Sequence, residues 1–471
     1  MKVFHIIARL FYMLSMLAMA FAAPAAPAEV FLAAPGARAE VFLAAPGARA
    51  EVFLAAPGAR AEVFLPAPSA RAEERFAGST TRAEERFAGS TTRAEERFAG
   101  STTPAEGNGN LAAPATSGGD FAAPTTPVDG NFYQLNYISN GFIPSSFPPP
   151  AKTDPNLVNS WGIAFNPFGF AWVANNGTGV STLYDGFGNA QSLVVQIPSP
   201  GNDSGGGSPT GIVYNGSPGF MVSKGATSGT SRFIFATEDG IIAGWAPDVD
   251  PTHAIRVIDN STSTGAVYKG LALSAGGSGG LLYATDFRNR KIDVFDSSFN
   301  PVILPEGAFT DPAVPSVDAP FGIQAINGNI YVSYAKQDAN RHDEEKGAGL
   351  GLINVFDPNG VLLRRIVAAE SASRQMLNAP WGMVLAPAGF GKFSNRLLVG
   401  NFGDGKINAF DLATGEFAGQ LEAANDLPIQ IDGLWGLAFG NGFANQPVNT
   451  LFFTAGPGDE QQGVYGRLDV Q

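Results

Sequence analysis

The sequence contains no cysteine and only three histidines. Without cysteine there is no disulfide framework, no thiol nucleophile and no thiolate metal site. His5 lies in the N-terminal leader and His253 follows a third strand on the face away from the candidate site. His342 is then the one histidine placed for acid–base work, and centres that need several imidazoles on one metal are excluded. Charged residues are sparse, at 15%, and beyond the leader no apolar run is long enough to suggest a membrane-spanning helix. Helical stretches are also scarce, because 58 glycines, 34 prolines and 11% aromatic residues describe many short strands joined by tight turns. Most of the formal net charge of −13 falls beyond residue 129. Such a surface repels phosphate backbones and anionic headgroups, which argues against nucleic acid or membrane partners and favours cations or neutral ligands.

At the N-terminus, Lys2 and Arg9 precede the apolar run LFYMLSMLAMAFA, which ends in Ala22-Ala23-Pro24. The pattern predicts a signal peptide over residues 1–23, with an apolar run shorter than the ~20 residues of a spanning helix. A secreted protein, periplasmic or extracellular and not inserted in the membrane after cleavage, is the expectation. Residues 24–131 read as a disordered arm. Seven units of eleven residues fill 28–104, from AEVFLAAPGAR to AEERFAGSTTP, and a Pro/Thr/Gly spacer follows. Pro-Gly or Pro-Ala steps interrupt any helix in the first four units, and apolar clusters this short cannot form a core, so the stretch reads as a flexible stalk. The alternative is multivalent contact with a wall polymer through the repeated Val-Phe-Leu clusters.

Over 132–471 one unit returns six times: glycine and an aliphatic residue, a short strand, a turn, a stronger β run, another turn and a third strand often ending in Asp. The marker glycines are Gly162, Gly211, Gly270, Gly322, Gly382 and Gly436. A period of this size predicts the blades of a six-bladed, NHL-like, all-β propeller. The sixth repeat ends one strand short at Gln471, and FYQLNYIS (132–139) belongs to no other repeat. Its pairing with GVYGRLD would close the ring between the two chain ends and remove two bare edges.

In a propeller, the loops before the innermost strand and after the second strand share one face. Trp161, Phe321, Trp381 and Trp435 stand beside marker glycines on that face. Lys336, Asp338 and His342 lie in or beside the longest insertion there, KQDANRHDEEKGAGLG. These seven are the candidate ligand-binding residues at the channel mouth. Asn159, Asp286, Asp318, Asn378 and Asp432 supply hard oxygen donors on the same face and are the candidate ligands for Ca2+. The competing reading is that such Asp and Asn side chains accept turn amides. No catalytic set is assigned: GGSGG (276–280) joins two strands and lacks a nucleophile elbow, and GAGLG (347–351) lacks the strand-to-helix setting of a dinucleotide loop.

The segments DPNLVNSWGIAF, LLVGNFGDGKINAFD, IDGLWGLAFGNG and NTLFFTAGPGDEQQGVYG together resemble an uncharacterised family of exported NHL-type six-bladed propeller proteins, associated with exosortase-sorted proteins. The resemblance implies the fold and an extracytoplasmic location and brings no catalytic residues; Gln462 stands where members of that family carry His. The sequence thus points to a monomeric, non-enzymatic binding or scaffold module that takes a small molecule, a glycan or a protein segment at one channel mouth. The alternative is a Ca2+-dependent hydrolase of lactonase-like type.

Overall fold

The computed structural model describes residues 130–142, 149–274 and 280–471, together with the backbone of seven strands between Ala28 and Phe98. The predicted signal peptide and the spacer up to residue 129 lie outside the described residues. No helix among the described residues is long and apolar enough to cross a membrane.

From residue 130 onward the chain is a six-bladed propeller. Blade one is built of Ser160–Phe165, Ala171–Asn175, Val180–Tyr184 and Ala190–Gln196, each strand antiparallel to the next. Blades two, four and five repeat this order, starting at Pro209, Asp318 and Pro380, and blade three stops at three strands, Tyr268–Leu273, Leu282–Asp286 and Lys291–Phe295. Blade six takes Leu434–Phe439, Leu451–Ala455 and Val464–Val470 from the C-terminus and Phe132–Ser139 from the start of the domain. The closing strand runs antiparallel to the last one, from Val464 opposite Ser139 to Val470 opposite Phe132. The first and last strands of the propeller are thereby locked into one sheet, as the missing sixth-blade strand required.

The six innermost strands touch in a closed cycle, and each carries a bulge at its marker glycine. These glycines are where neighbouring blades approach backbone to backbone. A Cβ on Gly322 would sit 2.1 Å from the Trp381 carbonyl oxygen, and one on Gly162 would sit 2.5 Å from that of Thr210. Second-strand hydroxyls fasten the same junctions: Thr285 Oγ1 donates to the Phe321 carbonyl at 2.8 Å and Ser333 Oγ to that of Pro380 at 2.6 Å. Between blades the alternating strand faces bury apolar clusters, such as Ala272, Tyr283, Ile330, Val332 and Phe356 between blades three and four. On the opposite face, Asp185, Asp296, Asp357 and Asp411 accept two turn amides each, the structural role their repeated position suggests.

The strands between Ala28 and Phe98 belong to a unit separate from the propeller. Its strands pair in parallel with the strand two units further on: Ala28–Leu32 with Arg49–Leu54, in register from Ala28 opposite Ala50 to Leu32 opposite Leu54. The strands fall into two sheets, of four and three. A single unit cannot form a core, but identical units 22 residues apart can stack in register, so the repetition supplies the pairing that one unit lacks.

Candidate functional site

The residue before each marker glycine points the site out: Trp161, Thr210, Lys269, Phe321, Trp381 and Trp435 form one ring of positions at the head of the innermost strands. The four aromatics among them pack together with Phe287 and Phe402. Trp161 stacks on Trp435 with ring centroids 3.4 Å apart, Phe402 stacks on Trp435 at 3.9 Å, and Trp381 meets both tryptophans edge-on at 5.7 Å. Trp161, Phe321, Trp381 and Trp435, read from sequence as ligand-facing, are therefore buried, none more than 8% exposed, and plug the channel. Hydrophobic packing outweighs exposure because six aromatic rings converging on one axis bury more apolar surface against each other than against a hydrated ligand. In the part of the channel lined by the marker glycines only a cavity of about 40 Å³ remains, bounded by Gly162, Gly211, Gly382, Met383 and Leu437.

Lys269 breaks the aromatic ring, and a polar network is built around it. Its ammonium lies 5.1 Å from the centroid of Trp161 and 5.8 Å from that of Phe287, geometry suited to a cation over π faces. It donates to Glu238 Oε1 at 2.5 Å and to Asp343 Oδ1 at 3.1 Å, with Glu344 Oε2 at 3.9 Å. Glu238 also accepts from Asn176 Nδ2 at 2.7 Å. Asn159 Nδ2 in turn reaches Asn176 Oδ1 at 3.3 Å and Glu460 Oε2 at 2.7 Å. The Trp435 indole N–H donates to Asn159 Oδ1 at 3.0 Å, which ties the network to the plug below it. Blades one, two, three, four and six each contribute a member.

Burial shapes the charges. It opposes the positive charge of Lys269, but Glu238, Glu344 and Asp343 more than reverse that effect and hold the ammonium above the ordinary lysine range. Burial pushes the Glu344 carboxyl up to about 8, with Lys269 pulling the other way. Burial also raises Glu460. Asp343 is held well below the usual carboxylate range by its hydrogen bond to His342, which raises the imidazole correspondingly.

The insertion after Lys336 straps this network. Asp338 Oδ1 accepts the backbone N–H of His342 and of Asp343, so it shapes the loop. Lys336 pairs with Glu345 at the base of the loop. Gly347 N–H donates to Asn378 Oδ1 at 2.6 Å, and Lys346 lies 4.4 Å over the Phe402 ring and 3.7 Å from Asp459. Of the three loop-side candidates, His342 reaches the polar network, through Asp343 Oδ1 at 2.8 Å.

The five candidate metal ligands are not gathered around one point. The Asn159 amide is engaged as described, and Asn378 accepts the strap. Asp286 is buried and accepts the backbone and side-chain N–H groups of Asn289, Asp318 faces Arg374 at 3.6 Å, and Asp432 accepts the Gly458 amide at 2.9 Å. Asp286 thus serves a local turn, Asn159, Asn378 and Asp432 bond to groups distant in sequence, and the buried Asp318 Oδ2 has no hydrogen-bond partner among the described residues. Among the described residues, one set of three groups has ligand atoms within 4.8 Å of one another: Glu238, His342 and Asp343. Two of its members, Glu238 and Asp343, already pair with the Lys269 ammonium, which competes with any metal cation for them. Sequence reasoning passed over Lys269, Glu344 and Glu460. The available signal was a lysine in a ring position otherwise held mostly by tryptophan and phenylalanine.

No family model matches the chain. Solved structures of similar shape include a streptogramin B lyase (12% identity, TM-score 0.39, 72% of this chain and 98% of that one). A structural genomics protein of unknown function from Bacteroides thetaiotaomicron aligns at 11% identity with TM-score 0.44, covering 72% and 76% of the two chains. Two uncharacterised proteins of Acanthamoeba polyphaga mimivirus are much nearer in sequence. One is 36% identical over 325 residues, covering 68% of this chain and 76% of its own length. The other is 37% identical over 325 residues, covering 68% and 82%. Identity at this level over most of both chains means that the protein belongs to the same family as these mimivirus proteins.

Proposed function

We propose that the protein is an exported, non-enzymatic binding propeller whose ligand, a cationic or neutral polar small molecule, glycan or protein segment, is held at the mouth over Lys269. The observation that carries this reading is the Lys269 ammonium, 1% exposed and engaged by Glu238, Asp343 and Glu344. An internal ammonium there supplies the positive charge that a hydrolytic metal would otherwise bring, and its raised proton affinity removes it as a nucleophile. The exposed rim left for a ligand is formed by Asp343, His342, Lys346 and Asp459. Rim acceptors beside a buried, fully paired network suit recognition by hydrogen bonds and ion pairs.

The lactonase-like hydrolase is the second reading, favoured by the proximity of Glu238, His342 and Asp343. Calcium calorimetry together with melting in EDTA separates the two. The binding reading expects no heat of calcium binding and no change in Tm. A calcium-dependent rise in Tm, lost in Asp343→Asn, would establish the metal site instead. Glycan and polyamine arrays probed with the full chain and with Asp343→Ala then test the rim, whose captured ligand should be lost in the variant.

A further inference from the structure

Blade three is incomplete in a way that the other five are not. Its sheet ends at Lys291–Phe295, where every other blade carries a further strand. One end of this edge is used: Val302 N–H donates to the Val294 carbonyl at 2.8 Å and Asp296 N–H to that of Asn300 at 2.9 Å. Backbone groups alternate sides along a strand, so the Val294 bond also places the N–H and C=O of Ile292 on the outer side. No backbone partner meets them there among the described residues. The outer segment does not continue past Leu304, because Pro305 has no N–H to donate to a ladder. What remains between strand and segment is a groove of about 410 Å³, lined by Lys291, Asp293 and Asn260 on its polar side and by Ile292, Leu304 and Phe309 on its apolar side.

We propose that this groove receives an arm repeat from a second copy of the chain, which adds in trans as the fourth strand of blade three. The fold defines the occupant as a strand, since a strand covers this edge in each of the other blades. Charge defines which strand. The edge reads Lys291-Ile292-Asp293, and Arg-Ala-Glu occurs six times in the arm, beginning at Arg38, Arg49, Arg60, Arg71, Arg82 and Arg93. Antiparallel addition of Arg38-Ala39-Glu40 sets Glu40 opposite Lys291, Ala39 opposite Ile292 and Arg38 opposite Asp293. Both charged pairs are then attractive, whereas parallel addition places Arg beside Lys. The small alanine faces Ile292 where the two residues exchange backbone bonds. Arg38–Phe42 is also the end strand of its own sheet and has one unpaired side. Lys291, with 42% of its side chain exposed, pairs with Asp293 at 2.5 Å along the edge, so an incoming Glu and Arg join an existing ion pair instead of meeting two free charges. Six copies of the triplet on one arm convert a weak single contact into multivalent association.

The test uses the full chain in sedimentation velocity over a concentration series, with fluorescence anisotropy of the labelled peptide GARAEVFLA. Concentration-dependent self-association and saturable peptide binding are expected. The double variant Lys291→Asp with Asp293→Lys should lose peptide affinity by about tenfold, the size expected for two cross-strand pairs turned repulsive. The charge-exchanged peptide GAEARVFLA should restore binding to that variant. Equal binding of GARAEVFLA to both proteins would overturn the proposal, as would a chain that stays monomeric and ignores the peptide. Should the double variant fail to fold, the two peptides are compared on the wild-type chain, where GARAEVFLA must bind and GAEARVFLA must not.

Discussion

The Lys269 ammonium donates to Glu238 Oε1 at 2.5 Å, joining the head of the innermost strand of blade three to the turn that follows the second strand of blade two. The lysine is buried, and its partner is nearly so. The pair forms the centre of a polar network that five blades share.

Lys269→Met should therefore destabilise the propeller by about 3 kcal/mol or more, because it leaves the largely buried Glu238 carboxylate without its counter-charge. Urea denaturation at neutral pH reads the loss. The deficit should narrow as the pH falls, because protonation relieves a buried carboxylate that has lost its counter-charge. A deficit that does not change with pH would show that packing, not charge, is what the lysine provides.

Glu344 gives the stability a distinct pH dependence. Its folded carboxyl titrates at about 8, raised from 4.5, so the folded chain holds this proton more tightly than the unfolded chain. The associated stability is complete below about 4.5 and is lost as the pH rises through 8. Glu344→Gln should flatten this part of the Tm profile and raise Tm at pH 8.5 relative to the parent. An unchanged slope would place the titration elsewhere.

Ring closure predicts opposite outcomes for two truncations. Removal of residues 1–129 leaves the closing strand in place, and Tm should stay the same. Deletion through Ser139 strips the outer partner from Val464–Val470 and should open the ring, with a large loss of Tm and of cooperativity. Equal stability of the two truncated chains would refute closure by the N-terminal strand.

The marker glycines predict severe sensitivity at the axis. Gly382→Ala places a Cβ 2.4 Å from the Trp435 carbonyl oxygen, so blades five and six must separate or their inner strands shift. A cost of at least about 1–3 kcal/mol is expected, as for other overpacked interiors. Alanine at Gly201, whose Cβ would meet nothing within 4 Å, is the control, although its own positive φ adds a small strain.

The fold was open to reading from local chemistry. Each marker glycine meets a need that a repeated unit carries with it, a backbone approach at the axis, and an orphan strand at Phe132 had one possible partner in an unfinished sixth blade. The face of the site was legible for the same reason, since loop position follows from strand order. The use of its residues was not. Trp161, Trp381 and Trp435 carry the same sequence pattern whether they line an open mouth or fill it, and only the convergence of six strands on one axis brings their rings into contact.

The amino-acid sequence by itself determined the blade count and the closing strand, because these depend on period and turn chemistry, which are properties of neighbouring residues. Tertiary structure alone decided that the aromatics form a plug, that Asn159 joins the Trp435 indole to the polar network, and that Lys269 meets Asp343, 74 residues away, and Glu238, 31 residues away. Those outcomes depend on distances between blades. No local pattern encodes them, because burial and pairing of a charge are settled only when the ring closes around it.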